Sequence, residues 1–229
     1  MRVFDYLVLE LRLILRNLRA TVGGILALTF PFTAYFLNSN ESLYSFTYKF
    51  IMMLSCSGCI VAYTCLWMSW DGTYFDRIAT QYNGFANYIK GKFMLAFGFG
   101  LWSAISITTC VGLHSQLLYS FLCLLVYNIG INTFVSVYMS FYNTIKVNLW
   151  QRTLQTDGNN GYQILSIGLM FFAPALISTI LHFFITEAYI YSIFGAFGLV
   201  SLLFLRKQVS VLTTVLEGKK KNLSDGFKK

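Results

Sequence analysis

Apolar stretches recur along the whole chain, separated by short polar segments. A helix needs about 20 predominantly apolar residues to cross a hydrocarbon core of about 30 Å at 1.5 Å per residue. The pattern predicts six such spans, over about 20–37, 44–68, 93–111, 117–140, 164–183 and 188–205. Before the first span, Val3, Phe4, Leu7, Val8, Leu11, Ile14, Leu15 and Leu18 recur at helical spacing, with Arg12, Arg16 and Arg19 between them. Residues 2–19 therefore read as an amphipathic helix lying in the membrane interface. Asp5, Glu10 and the arginines interrupt this segment, so it lacks the apolar core of a cleavable signal peptide, and the first span is expected to act as its own insertion signal.

The spans form three hairpins with unequal loops. On one side lie Asn38 to Glu41, a turn holding His114 and Gln116, and Thr186 with Glu187. On the other lie Ser69 to Lys92, Phe141 to Gln163 and a tail from Arg206 to Lys229. The reading is a single all-α transmembrane domain over 1–229, and any soluble partner is expected on the side of the larger loops. The tail, ending in Lys219, Lys220, Lys221, Lys228 and Lys229, reads as a solvated basic end near anionic lipid.

Composition supports the membrane assignment. The chain is 56% hydrophobic and 18% aromatic with 11% charged residues, against about 25% charged in soluble domains. The net charge of +8 would suit a polyanionic partner if it formed one patch. Instead the proposed topology puts every Lys and Arg except Lys49 on one side, which is the positive-inside pattern. It places both termini in the cytoplasm and argues against nucleic acid. Lys49 falls one to two turns inside the outer end of the second span, where a lysine stem reaches the interface, so snorkelling is the expectation.

Candidate enzymatic chemistry is sparse. The chain carries no Walker A pattern, no His-Glu-x-x-His, no Gly-x-Ser-x-Gly and no Gly-x-Gly-x-x-Gly. It cannot hydrolyse nucleotide alone. His114 and His182 are the two imidazoles, both near the outer boundary, and read as interfacial polar residues. Cys56 and Cys59 form a Cys-x-x-Cys among Ser55, Ser57 and Gly58, a small-residue stretch that suits close helix packing better than redox chemistry. No metal site or disulfide framework is expected. Pro31 and Pro174 interrupt spans 1 and 5 and are candidate hinges.

The most specific signal is the first cytoplasmic loop. Asp71 is placed to cap a helical turn, Phe75 and Ile78 fall three apart on one face, and Asn83-Gly84 supplies a turn before the chain re-enters the membrane. A short amphipathic helix results, whose apolar face must be buried against something. Phe75 and Asp76 are expected to contribute little to the bundle, so that alanine at either leaves folding near wild type.

An acidic residue followed by Gly-Thr, a short helix with paired hydrophobics and a terminal Gly-Lys resembles the loop after span 2 of ABC-2-type exporter permeases. Ser69-Trp70-Asp71, Tyr74-Phe75-Asp76, Tyr88-Ile89-Lys90-Gly91-Lys92 and Tyr127-Asn128-Ile129-Gly130-Ile131-Asn132-Thr133-Phe134 are similar to a group of ABC-2-like permeases common in Bacteroidota, and the chain resembles their second half. The resemblance implies an ABC-2, type V exporter-like fold in which residues 2–19 correspond to the elbow helix. It implies ATPase-coupling roles for Asp71, Gly72, Thr73, Phe75, Asp76, Arg77 and Ile78. It implies a separate cytoplasmic ABC ATPase that carries ATP and Mg, a second six-span unit, and export of a lipid, peptide or other hydrophobic substrate. Two other classes fit the residues: a membrane-embedded lipid-modifying enzyme, which would make His114 or His182 essential, and a non-catalytic immunity or assembly factor, which would work without an ATPase.

Overall fold

The computed structural model describes residues 3–16, 25, 28–38, 46–64, 71–72, 75–81, 84–111, 115–143 and 161–227, and every element among them is helical. The interfacial segment forms α1 (Val3–Arg16), with Phe4 and Leu11 exposed and Tyr6 buried. At Pro31 the backbone passes from α to a 3-10 helix, Phe30–Asn38. Nine residues is long for this tighter winding, whose runs rarely exceed three or four. It is held by close packing: the Phe30 ring lies where a Cβ on Gly58 would stand, and the Thr33 and Ser55 hydroxyls meet at 2.7 Å.

Next come α2 (Phe46–Thr64), the five-residue α3 (Phe75–Ala79) and α4 (Gly84–Val111). α4 begins well before residue 93, so the polar re-entry segment is continuous with the membrane helix. α5 (Ser115–Tyr127), a π-helical turn (Asn128–Asn132) and α6 (Thr133–Ser140) follow as one rod. α7 (Gly161–Leu181) carries Pro174 in its interior, and α8 (Glu187–Leu203) follows a short turn. The basic tail is itself a helix, α9 (Leu205–Phe227), set at 69° to α8.

Among the described residues, Gly84–Cys110 and Leu117–Ser140 are long and apolar enough to cross a membrane, and α8 with α9 makes a third if the bent pair is one span. Ile167–Leu181 is a shorter apolar helix.

Two hydrophobic clusters stabilise the bundle. One gathers Tyr6, Phe75, Ile78, Phe85, Tyr88 and Ile89 with Val137, Phe141 and the inner face of α9, where α4 begins and α6 ends. The other gathers Ala34, Tyr48, Met52, Cys56, Phe121, Leu124, Met170 and Phe194. Buried small polar residues, including Ser55, Ser57, Ser103, Ser106 and Ser178, lie between helices, as in membrane bundles where close approach replaces the hydrophobic drive. Cys56 is one of these packing residues, its thiol donating to the Phe121 carbonyl at 3.5 Å.

α8 packs most closely on α5. A Cβ on Gly198 would stand 2.5 Å from the Tyr127 nitrogen, and one on Gly130 would stand 2.6 Å from the Gly198 carbonyl oxygen. Two glycines therefore let the α8 backbone lie against the π turn.

Candidate functional site

The site forms at the beginning of α4, where Tyr88 and Lys92 lie one helical turn apart on the same face. Asp71 Oδ2 accepts a hydrogen bond from the Tyr88 hydroxyl at 2.5 Å and an ion pair from Lys92 Nζ at 2.7 Å. The Lys92 and Asp71 side chains are only 1% and 2% exposed. Two charges survive such burial because each supplies the other with a partner. The Lys92 ammonium also lies 5.2 Å from the centre of the Tyr88 ring, and Tyr6 of α1 meets that ring edge-on. Tyr6 then donates to Gln81 Oε1 at 2.9 Å, so a hydrogen bond and a ring contact together tie α1 to α4 and the loop. Burial, with the nearby Asp5 carboxylate, pushes the Tyr6 phenol above its ordinary range and keeps it a neutral donor.

α3 is split by its periodicity. Phe75 and Ile78 are buried, and Asp76 and Arg77 are exposed. The Phe75 ring stacks on Phe85 with centroids 5.7 Å apart and meets Phe227 edge-on at 5.6 Å. Gly84 allows the tight return into α4, since a Cβ there would collide with the Ile78 carbonyl oxygen at 2.1 Å. From the other side α9 closes over the helix: Ser224 Oγ donates to Asp76 Oδ1 at 2.8 Å and Lys220 Nζ to the Ala79 carbonyl at 3.1 Å. Lys219 sits on the Tyr142 ring, where burial lowers its pKa.

The residues picked out from the loop thus divide into two groups. Asp71, Phe75 and Ile78 face inward and tie the loop to the bundle, Gly72 is half-buried, and Asp76 and Arg77 face solvent. Thr73 lies outside the described residues. Asp71 turns inward to Lys92 instead of serving as a helix cap, because an ion pair in this apolar surround outweighs a single capping bond. Phe75 belongs to the core, which overturns the expectation that its loss would leave folding untouched. From Leu205 to Phe227 the tail is a docked helix and not a solvated end; Lys228 and Lys229 lie outside the described residues.

Ser224 and Phe227 were not singled out by the sequence reading; Tyr88 and Lys92 entered it only within a motif, and Lys220 only as part of the basic tail. Two signals could have found them: the i, i+4 pairing of Tyr88 with Lys92, and the spacing of Val209, Leu212, Leu216, Leu223 and Phe227 on one helical face, all of them buried.

A second polar cluster lies at the opposite end of the bundle. Lys49 Nζ donates to the Ser178 carbonyl at 3.1 Å and stands 3.8 Å from Glu187 Oε1, which His182 Nδ1 approaches at 3.9 Å. Lys49 is 2% exposed and so does not snorkel to an open interface; the turn between α7 and α8 brings it a carboxylate instead. Between the two ends, the π turn buries Asn128 and Asn132, hydrogen-bonded to each other, with Asn132 also reaching the Met170 carbonyl at 3.4 Å. Pro174 is buried within α7, and Pro31 is buried at the start of the 3-10 helix. Among the described residues no three His, Cys, Asp or Glu side chains converge to hold a metal.

No curated protein and no solved structure shows significant similarity to this chain. A family model matches residues 2–229, nearly the whole chain, and the chain belongs to that family, a family of unknown function (DUF5687).

Proposed function

We propose that this chain is the transmembrane subunit of an ABC-2-type exporter in a bacterial inner membrane. Six spans place both termini in the cytoplasm, and two such units pair to enclose a path. A separate cytoplasmic ATPase docks on the exposed edge of α3, and its ATP-driven closure pushes on Asp76 and Arg77. The cargo is a lipid, peptide or other hydrophobic molecule.

One observation carries this reading. α3 is an independent short helix, yet it is locked into the base of a membrane-length helix by the buried Asp71–Lys92 pair, with Tyr88 bracing the same carboxylate. Coupling needs an element that is exposed on one face and rigid on the other, since a soft loop would absorb the push. The cations support the orientation, because Arg77, Lys90, Lys92, Lys219, Lys220 and Lys221 all belong to elements that meet at this same end.

The test is co-purification and ATP turnover of the reconstituted complex with Asp76→Ala and Arg77→Ala. At a docked surface, truncating a desolvated charge costs about 2 to 5 kcal/mol. Since about 1.4 kcal/mol is a factor of ten, association or stimulated hydrolysis is expected to fall tenfold or more while the isolated chain stays folded. An active chain that purifies from its membrane with no ATPase sinks the reading.

A further inference from the structure

α3 is gripped from two sides, and the second grip leads back into the membrane. On the first side the Asp71–Lys92 pair connects the loop to α4. On the second, the far end of α9 covers α3 through Leu223 and Phe227 in the core, the Ser224–Asp76 hydrogen bond and the Lys220–Ala79 hydrogen bond. α9 is a continuous helix of 23 residues, and its near end starts one residue beyond α8. The corner between them is braced, because Gln208 Nε2 donates to both the carbonyl and the hydroxyl of Ser201, at 2.9 Å and 2.6 Å. Three residues before Ser201 is Gly198, where α8 lies too close to Tyr127 and Gly130 to slide without repacking.

We infer that α9 is a lever: it joins α3 to α8, so that displacement of the α3 surface is delivered to the packing of α8 against the π turn as well as to α4. A helix of this length spans about 35 Å at 1.5 Å per residue, enough to carry movement from one side of the cytoplasmic face to the other. The buried face of α9 makes the attachment mainly apolar and mechanical, with Lys220 and Ser224 adding polar contacts to α3 at its edge and Lys221 exposed. A tail held to the surface by charge alone would transmit nothing. Asp76 therefore has two partners to satisfy, a motor from outside and Ser224 from within, and the short helix and the basic tail are one element instead of rival docking sites. That an ATPase supplies the displacement rests on the proposed exporter function; the mechanical link belongs to the chain alone.

The link is tested without any ATPase, by hydrogen exchange of the full chain in phosphatidylethanolamine and phosphatidylglycerol nanodiscs. Releasing the far end with Ser224→Ala and Phe227→Ala is expected to raise amide exchange at least tenfold both in residues 75–81 and around the corner at 204–210, about 20 residues away in the chain. Ser224→Ala alone, at a half-buried position where one hydrogen bond is lost and the core is untouched, is expected to move both regions in the same direction by a smaller factor. Exchange that rises only in 75–81 and 220–227, with the corner at its wild-type rate, makes α9 a static cover and overturns the lever; so does no change anywhere. An Asp76→Cys, Ser224→Cys pair is expected to cross-link on mild oxidation and to slow exchange at the corner, reversibly on reduction. A cross-link that slows the corner in a chain that binds no ATPase keeps the lever and removes the exporter. Normal ATPase stimulation with the corner unaffected does the reverse.

Discussion

Lys92 Nζ lies 2.7 Å from Asp71 Oδ2, and this contact joins the segment that precedes α3 to the first turns of a membrane-length helix. Neither side chain reaches solvent, so each depends on the other for its charge to be tolerable. Removing one partner of a buried pair costs about 3 to 5 kcal/mol because the survivor is left uncompensated. Asp71→Asn and Lys92→Met are each expected to lower thermal stability by that order. The double replacement is expected to recover most of the loss, because no charge then remains buried. Melting curves of the four proteins in one detergent decide it, and additive losses in the double variant would show that the two residues act separately.

Phe75 and Asp76 are adjacent and should behave as opposites. Phe75 is 2% exposed between Phe85 and Phe227, so Phe75→Ala opens a cavity and is expected to cost about 3 to 5 kcal/mol. Asp76 is exposed and contributes one hydrogen bond with Ser224, worth about 1 kcal/mol or less at the surface. Asp76→Ala should therefore fold and melt near wild type while weakening any cytoplasmic partner. If Phe75→Ala is as stable as Asp76→Ala, α9 does not cover α3 as described.

These two residues also show what was legible in the chain. The three-residue spacing of Phe75 and Ile78 announces a helix with one apolar face, and the apolar stretch read as 44–68 contains the helix Phe46–Thr64. What covers that apolar face was not legible, because its partners Leu223 and Phe227 lie some 150 residues later among lysines that read as solvent. Charge misled in the same way at α4: Lys90 and Lys92 look like a loop, but Lys92 is neutralised by Asp71, so the helix runs on from Gly84. Lys49 looks like a snorkelling cation until Glu187 arrives from α8. The stretch Tyr127 to Phe134 stood out only as a motif, and nothing in it announces the π winding; Asn128, Gly130 and Asn132 acquire their structural meaning from Gly198 and Met170. Local periodicity is therefore readable, and pairing between distant segments is not.

The glycines offer a third prediction, from contact alone. A Cβ at Gly198 would stand 2.5 and 2.6 Å from the Tyr127 nitrogen and Cα, backbone atoms that cannot rotate away. Gly198→Ala is expected to force α8 off α5 at a cost of about 1 to 3 kcal/mol, seen as a lower melting temperature and, in a coupled complex, as lost transport. Gly98 on α4 has nothing within 4 Å of its Cβ position, so Gly98→Ala should be neutral or slightly stabilising. Equal effects at the two sites would contradict the tight α5–α8 crossing.

The last prediction concerns the far end of the bundle, where the partners of the Lys49 charge differ in exposure. Lys49 is 2% exposed and Glu187 is 22% exposed, so water can reach the acid and not the base. Breaking the contact is therefore asymmetric. Glu187→Gln leaves a buried ammonium that still donates to the Ser178 carbonyl at 3.1 Å but has lost its counter-charge, a severe loss for a full charge. Lys49→Met leaves a part-exposed carboxylate whose outer edge stays hydrated, with His182 3.9 Å from its buried Oε1. Glu187→Gln is expected to destabilise more than Lys49→Met, and the double Lys49→Met, Glu187→Gln variant is expected to be closer to wild type than Glu187→Gln alone. The contact joins α2 to the α7–α8 turn, so the same variants should loosen that end of the bundle, measured as faster amide exchange in 182–187. His182→Ala provides the control: the imidazole is part-exposed and peripheral to the pair, so its loss should change stability little and leave the proposed transport intact. If His182→Ala alone abolishes function while stability holds, the imidazole is doing chemistry, and a lipid-modifying enzyme replaces the exporter as the reading of this chain.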